Sequence, residues 1–191
     1  MKKTRLFFDT ETTGLFRGLP KAINFTEFDN CRLVEFGYRK MRGNDLIAEG
    51  SIILKNDGYT IPSFITKIHG INDEMANRDG LSRHEFFLQL IELLEGVDYL
   101  IAHNMPFDIR ILAAECYRYN QEEIIEMLKN IKRHCSLEMA RKKIKKTEIE
   151  NHKLQTVYKH LFNKEFDGAH RALNDVHALC SIYKKLIKID K

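Results

Sequence analysis

Three segments carry residue types that could do chemistry together. In Phe7-Phe8-Asp9-Thr10-Glu11-Thr12-Thr13-Gly14, two acids end an apolar run. Residues two apart in a strand share a face, so Asp9 and Glu11 project together. Carboxylates held close repel, and burying them is costly unless a cation neutralises them. A divalent metal is the natural compensation, and Mg²⁺ and Mn²⁺ take oxygen ligands of this kind. A bare D-x-E is common, however, and alone it reads as two solvated acids. In Ala102-His103-Asn104-Met105-Pro106-Phe107-Asp108, the acid lies one helical turn before Ile111 and Leu112, so its carboxylate aims at the sheet. Alone, it reads as an acid near a helix N-terminus, where the dipole favours it. In Gly168-Ala169-His170-Arg171-Ala172-Leu173-Asn174-Asp175-Val176, Asp175 is three residues from Ala172 and four from Leu179. It shares their apolar stripe and faces the core, with His170 at the helix entrance.

The elements that must position these groups follow from periodicity. Residues 4–10 read as a buried strand, and 15–30 as a long loop. Residues 32–41 and 46–54 are two more strands joined at Gly43-Asn44-Asp45, a hairpin signal, so the first three strands form an antiparallel meander. Residues 62–69 form a short helix stopped by Gly70. Ser82-x-x-Glu85 is a capping box opening a helix to about Glu95. Residues 97–102 are a fourth strand, and Pro106 marks the start of a helix reaching about Tyr119. A helix over 121–129, a weak fifth strand over 131–136, and helices over 137–146, 153–162 and 171–188 complete the chain. The pattern predicts an α/β sandwich on a mixed sheet, in a single domain over 1–191.

Composition narrows the partners. The 191 residues include 31 Lys+Arg and 27 Asp+Glu, but the charges are unevenly spread. Residues 1–128 sum to −5 and residues 129–191 to +9, which is compatible with a polyanionic partner. The run Arg141-Lys142-Lys143-Ile144-Lys145-Lys146 is a candidate guide for nucleic acid, with a solvated helix face as the plainer reading. Cys31, Cys116, Cys135 and Cys180 lack zinc-ligand spacing and read as reduced thiols. The start imitates a signal peptide only until Asp9 and Glu11 interrupt it, and no apolar run is long enough for a membrane span. An intracellular location, cytoplasmic or nuclear rather than secreted, is expected.

Taken together, Asp9, Glu11, Asp108, His170 and Asp175 gather near one end of one sheet. In that order the motifs FDTETTG, H-N-x-x-F-D and H-x-x-x-x-D resemble the DEDDh (DnaQ-like) branch of the 3′–5′ exonucleases. That branch includes the proofreading epsilon subunit of bacterial DNA polymerase III, RNase T and oligoribonuclease. The resemblance runs over roughly residues 4–188. Ile68-His69-Gly70-Ile71 and Leu33-Val34-Glu35-Phe36-Gly37 add to it, while the loop from Phe16 to Asn30 is longer than the family's usual connection.

The resemblance implies an RNase H-like five-stranded mixed sheet with the first strand central, strands 1–3 antiparallel and strands 4–5 parallel, flanked by helices. It implies a two-metal enzyme using Mg²⁺ or Mn²⁺. Asp9 would bridge both ions, Glu11 and Asp175 would complete the one holding the attacking water, and Asp108 would support the other. His170 would be the general base, since an imidazole can take up a proton near neutrality. Thr12, Thr13, Leu15, His69 and Asn104 match positions that touch substrate. Competing readings are a turn for the threonines, packing for Leu15 and a helix-end role for His69. The expected reaction is release of nucleoside 5′-monophosphates from the 3′ end of DNA, single-stranded or frayed, in proofreading or repair. RNA is the nearest alternative substrate. A non-catalytic nucleic-acid-binding module would lack a ligand position, and here all five are filled. A DNA polymerase or replication partner and a homodimer are further expectations.

Overall fold

The computed structural model describes residues 2–15 and 31–189, so the expected loop over 16–30 lies outside the described residues. The N-terminal apolar run forms the central strand β1 (Thr4–Thr12), two residues longer than the apolar run itself. Glu11, just past the expected end of the strand, therefore stands within it, as Asp9 does. Next come β2 (Leu33–Arg42), β3 (Asp45–Ile53), α1 (Ser63–His69), α2 (Asp73–Asp79), α3 (Arg83–Leu94), β4 (Tyr99–Ala102), α4 (Met105–Arg118), α5 (Glu122–Asn130), β5 (Lys132–Cys135), α6 (Ser136–Lys143), α7 (Leu154–Phe162) and α8 (Ala172–Leu186).

The sheet order is β3-β2-β1-β4-β5. β1 pairs antiparallel with β2 and parallel with β4, β2 pairs antiparallel with β3, and β4 pairs parallel with β5. The expected mixed RNase H-like sheet is thus the observed one. The hairpin turn is shorter than expected, because Asp45 already belongs to β3 and Gly43 takes a left-handed φ of 65°. Helix α2 was not expected. The Asn72 side chain caps it by accepting from the Met75 N–H, and Asp73 and Glu74 complement its positive end. Helix α6 ends at Lys143 rather than 146, because Ile144 turns to extended backbone.

Alternation along β1 gives its two faces different tasks. Leu6 and Phe8 pack with Phe36, Phe86, Leu90 and Leu112 in a core shared with α3 and α4. Phe7 packs on the other face with Ile101, Val176, Leu179 and Tyr183, under α8. Asp9 and Glu11 continue the Phe7 face toward α8, while Thr10 continues the Phe8 face toward α4. Gly37 pairs with Asp9 across the β1–β2 ladder. A Cβ there would lie 2.4 Å from the Ala172 carbonyl carbon, so only glycine lets the start of α8 come this close. No disulfide joins the four cysteines. Among the described residues, no helix is long and apolar enough to cross a membrane.

Candidate active site

The β1–β4 pairing ends at Phe7, so the β4 side of β1 is open beyond it. Asp108, on the first turn of α4, fills that edge. Its Oδ1 accepts from the Thr10 N–H at 3.1 Å and the Thr10 hydroxyl at 2.8 Å, and it is buried. From the opposite face, Asp175 on the first turn of α8 is also buried. Its Oδ2 accepts the His170 N–H at 2.9 Å. His170 itself is exposed and holds a left-handed φ of 67°, uncommon for a residue with a side chain. Ligand atoms of Glu11, His170 and Asp175 lie within 4.8 Å of one another, a group able to hold a metal ion.

The electrostatics are one-sided. Burial pushes Asp9 well above the ordinary carboxylate range, and Asp108, Asp175, Glu11 and Glu35 each push it further. Burial raises Glu11 to about 8, helped by Asp175, Glu35 and Asp108 and only partly offset by Arg171. Asp108 and Asp175 both rise to about 7, chiefly through burial, against the hydrogen bonds from Thr10 and His170 respectively. Carboxylates so placed are short of positive charge, and an oxygen-preferring dication is the group they fit.

A model of the exonuclease family (RNase_T) matches residues 6–183. The chain belongs to that exonuclease family. The PolC-type DNA polymerase III of Caldanaerobacter subterraneus subsp. tengcongensis is 27% identical over 184 residues, covering 95% of this chain and 11% of that protein. The PolC-type polymerase of Bacillus subtilis is 28% identical over 187 residues, covering 98% of this chain and 12% of that one. Among solved structures, zinc-bound E. coli exonuclease I in complex with single-stranded DNA superposes with a TM-score of 0.76 at 21% identity. It covers 100% of this chain and 41% of that chain. The chain thus spans about a ninth of the length of the polymerases it matches.

Within this exonuclease-family fold, the five residues expected to be catalytic line the end of β1 and the helix starts beside it. The expected substrate contacts divide. Leu15 is 79% exposed, and Asn104 is exposed with its side chain not used to cap α4. Thr12 and Thr13 are buried, and their hydroxyls shape the turn: Thr12 Oγ1 donates to the Gly14 carbonyl and Thr13 Oγ1 accepts the Arg32 N–H. His69 is buried at the end of α1, and its Nδ1 accepts the Ile71 N–H at 3.1 Å. Burial lowers its pKa, against the pull of the Thr12 backbone and Glu35.

Three residues near the site were not singled out from the sequence. Glu35 is fully buried and faces Glu11 across the ladder. It accepts from Arg171 Nη2 at 2.9 Å, from the Ser51 hydroxyl at 2.5 Å and from the Ala172 N–H at 3.0 Å. Glu35 and Arg171 thereby fix the backbone that presents His170. Gln155 Nε2, at the start of α7, lies 3.4 Å from His170 Nε2. An acid inside the apolar stretch LVEFG was the available signal for Glu35. Nothing in the local pattern marks Gln155.

Proposed function

We propose that the chain hydrolyses phosphodiester bonds from the 3′ end of DNA, at single-stranded or frayed ends, releasing nucleoside 5′-monophosphates. The observation that carries this reading is the convergence of Asp9, Glu11, Asp108, His170 and Asp175 at the end of β1, with Glu11, His170 and Asp175 in mutual ligand range. Asp9, Glu11 and Asp175 would hold one divalent cation, Mg²⁺ or Mn²⁺, and Asp9 with Asp108 would hold a second. Such a pair, when bound, stabilises charge on the attacking and leaving oxygens of an in-line displacement.

The chain's own residues do the rest. His170, exposed beside the carboxylates, takes a proton from the attacking water on its imidazole nitrogen. The water oxygen bonds to phosphorus as the bond to the 3′ oxygen breaks, and that oxygen takes a proton from solvent, so the shortened strand leaves with a 3′ hydroxyl. Thr10 keeps Asp108 in place, and Glu35 and Arg171 keep His170 at the mouth of the site. Leu15, being exposed, would pack against the terminal base. Similarity to PolC-type polymerases supports a replication or repair setting.

The test uses oligonucleotides labelled at the 5′ end. With Mg²⁺ or Mn²⁺, DNA should shorten progressively from the unlabelled 3′ end, and excess EDTA should stop the reaction. Hydrolysis that persists in EDTA, or immediate release of the 5′ label, contradicts the reading. Preference for RNA in the same panel would move the substrate assignment and leave the chemistry standing.

A further inference from the structure

A groove of about 760 Å³ runs beside the acidic site, between the β4–α4 junction and the chain leading into α7. Its lining includes His103, Asn104, Arg141, Lys146, Lys153 and Leu154. We propose that this groove carries the sugar-phosphate backbone of a single DNA strand on the 5′ side of the scissile bond. The proposal rests on the nuclease reading above and names the path by which the strand reaches that site.

Charge is the first support. Among the described residues, no acidic one lines the groove. Arg141, Lys146 and Lys153 are exposed, and no ion pair engages them among the described residues. Some surface lysines are paired, Lys2, Lys3, Lys129 and Lys159 each holding an acid within 2.8 Å; what sets the groove apart is that it gathers three unpaired cations with no acid among its described lining residues. Three uncompensated cations beside a carboxylate-rich site give the molecule a place where phosphates are welcome before cations are bound.

The fold sorts the basic run in a way its sequence does not. Because α6 stops at Lys143, the chain turns back, and Lys146 and Lys153 reach the groove that Arg141 also lines. Lys143 is occupied elsewhere, donating to the Leu186 carbonyl at 2.6 Å. Lys142 and Lys145 do not line the groove.

The floor is fixed. His103 bonds Ser136 Oγ through Nδ1 at 2.9 Å and the His152 carbonyl through Nε2 at 2.8 Å. His152 Nε2 in turn reaches the Ile144 carbonyl at 3.0 Å. These bonds pin the connection between α6 and α7 against the end of β4. Both rims lead to the site: Asn104 precedes the helix bearing Asp108, and Leu154 precedes Gln155, the neighbour of His170. Among the described residues, the lining contains no Phe, Tyr or Trp. Recognition there would therefore be of phosphates rather than stacked bases, and indifferent to sequence.

The experiment measures fluorescence anisotropy of 5′-labelled dT12 and rU12 binding to the full chain in EDTA, across 50–200 mM salt. At roughly 0.7 per phosphate contact on a single strand, Arg141→Ala/Lys146→Ala/Lys153→Ala should lower the log–log salt slope for dT12 by about 2, so the salt step costs about 20-fold less affinity than in wild type. Lys142→Ala/Lys145→Ala should keep the wild-type slope. Thermal melts verify folding, and the single charge reversal Lys146→Glu provides a second variant with the same expected direction. An unchanged slope in the triple variant and in Lys146→Glu overturns the groove assignment, as does an equal drop in the control. A drop confined to rU12 overturns the assignment to DNA. Absence of metal-dependent hydrolysis by the wild-type chain is a separate failure, which sinks the nuclease reading instead.

Discussion

Helix α4 carries two buried carboxylates seven residues apart on one side, Asp108 and Glu115, and the chain treats them oppositely. Glu115 is surrounded by guanidinium groups. Arg32 and Arg118 each place a nitrogen 3.0 Å from it, Arg83 lies at 3.6 Å, and the Leu33 N–H donates at 3.0 Å. Among the described residues the donors to Asp108 are neutral, the Thr10 N–H and hydroxyl and its own backbone, and Asp9 feels its charge. Arg171, a cation that acts on Glu11, is held by Glu35. A carboxylate buried for architecture brings its counter-charge in the same chain. Among the described residues the cluster around Asp108 has none of comparable weight, which is what the proposed cation binding would require.

Three substitutions can break or sharpen that contrast. The largest effect is expected at Asp108. Asp108→Asn should cut metal-dependent hydrolysis by about 10²–10³-fold or more, the order of a lost electrostatic stabiliser at the reacting centre. Chemical denaturation without metal should show no loss of stability. If Asp108→Asn instead unfolds the chain while the folded fraction stays active, the two carboxylates are of one kind.

Next in size is Glu115→Gln. It strands three arginines in a buried setting, and equilibrium denaturation should record a loss of about 3–5 kcal/mol. Specific activity of the folded fraction should be retained. A loss of activity at unchanged stability would make Glu115 part of the site.

The smallest effect concerns pH. Folded-state pKa values raised above the unfolded ones mean that the acid cluster's contribution to stability is fully present below about pH 4 and is lost as pH rises through about 7–8. Metal-free protein should therefore lose stability steadily over that window. Glu11→Gln should flatten the slope and stabilise the metal-free chain near pH 8. Added Mg²⁺ should reverse the trend in wild type by binding the folded form. A metal-free profile that rises steadily to pH 8 contradicts this account.

Much of this was legible in the residues. The inward aim of Asp108 and Asp175 followed from their helical spacing to Ile111, Leu112 and Leu179, and both are buried. The capping box at Ser82 and Glu85 is present as read. Glu35 was hidden because a single acid in an apolar strand looks the same whether it faces solvent or a helix start. Its role depends on a partner 136 residues away. Helix α2 was missed because seven residues give too little periodicity, and its signal was the cap at Asn72. The split of the basic run was hidden for a related reason. Lysine suits helix and loop alike, and α6 ends where Ile144 must turn toward the core formed with Val157, Ile182 and Leu186.

Gly37 has a consequence that reaches the chemistry. It stands opposite Asp9, where a methyl group would drive into the Ala172 backbone. Alanine at that position would act as a wedge, lifting the helix that holds Asp175 and the residue before it that bonds Glu35, without altering any charged group. The spacing of the carboxylates is therefore set partly by a hydrogen atom, and the chain can be detuned there by adding one carbon.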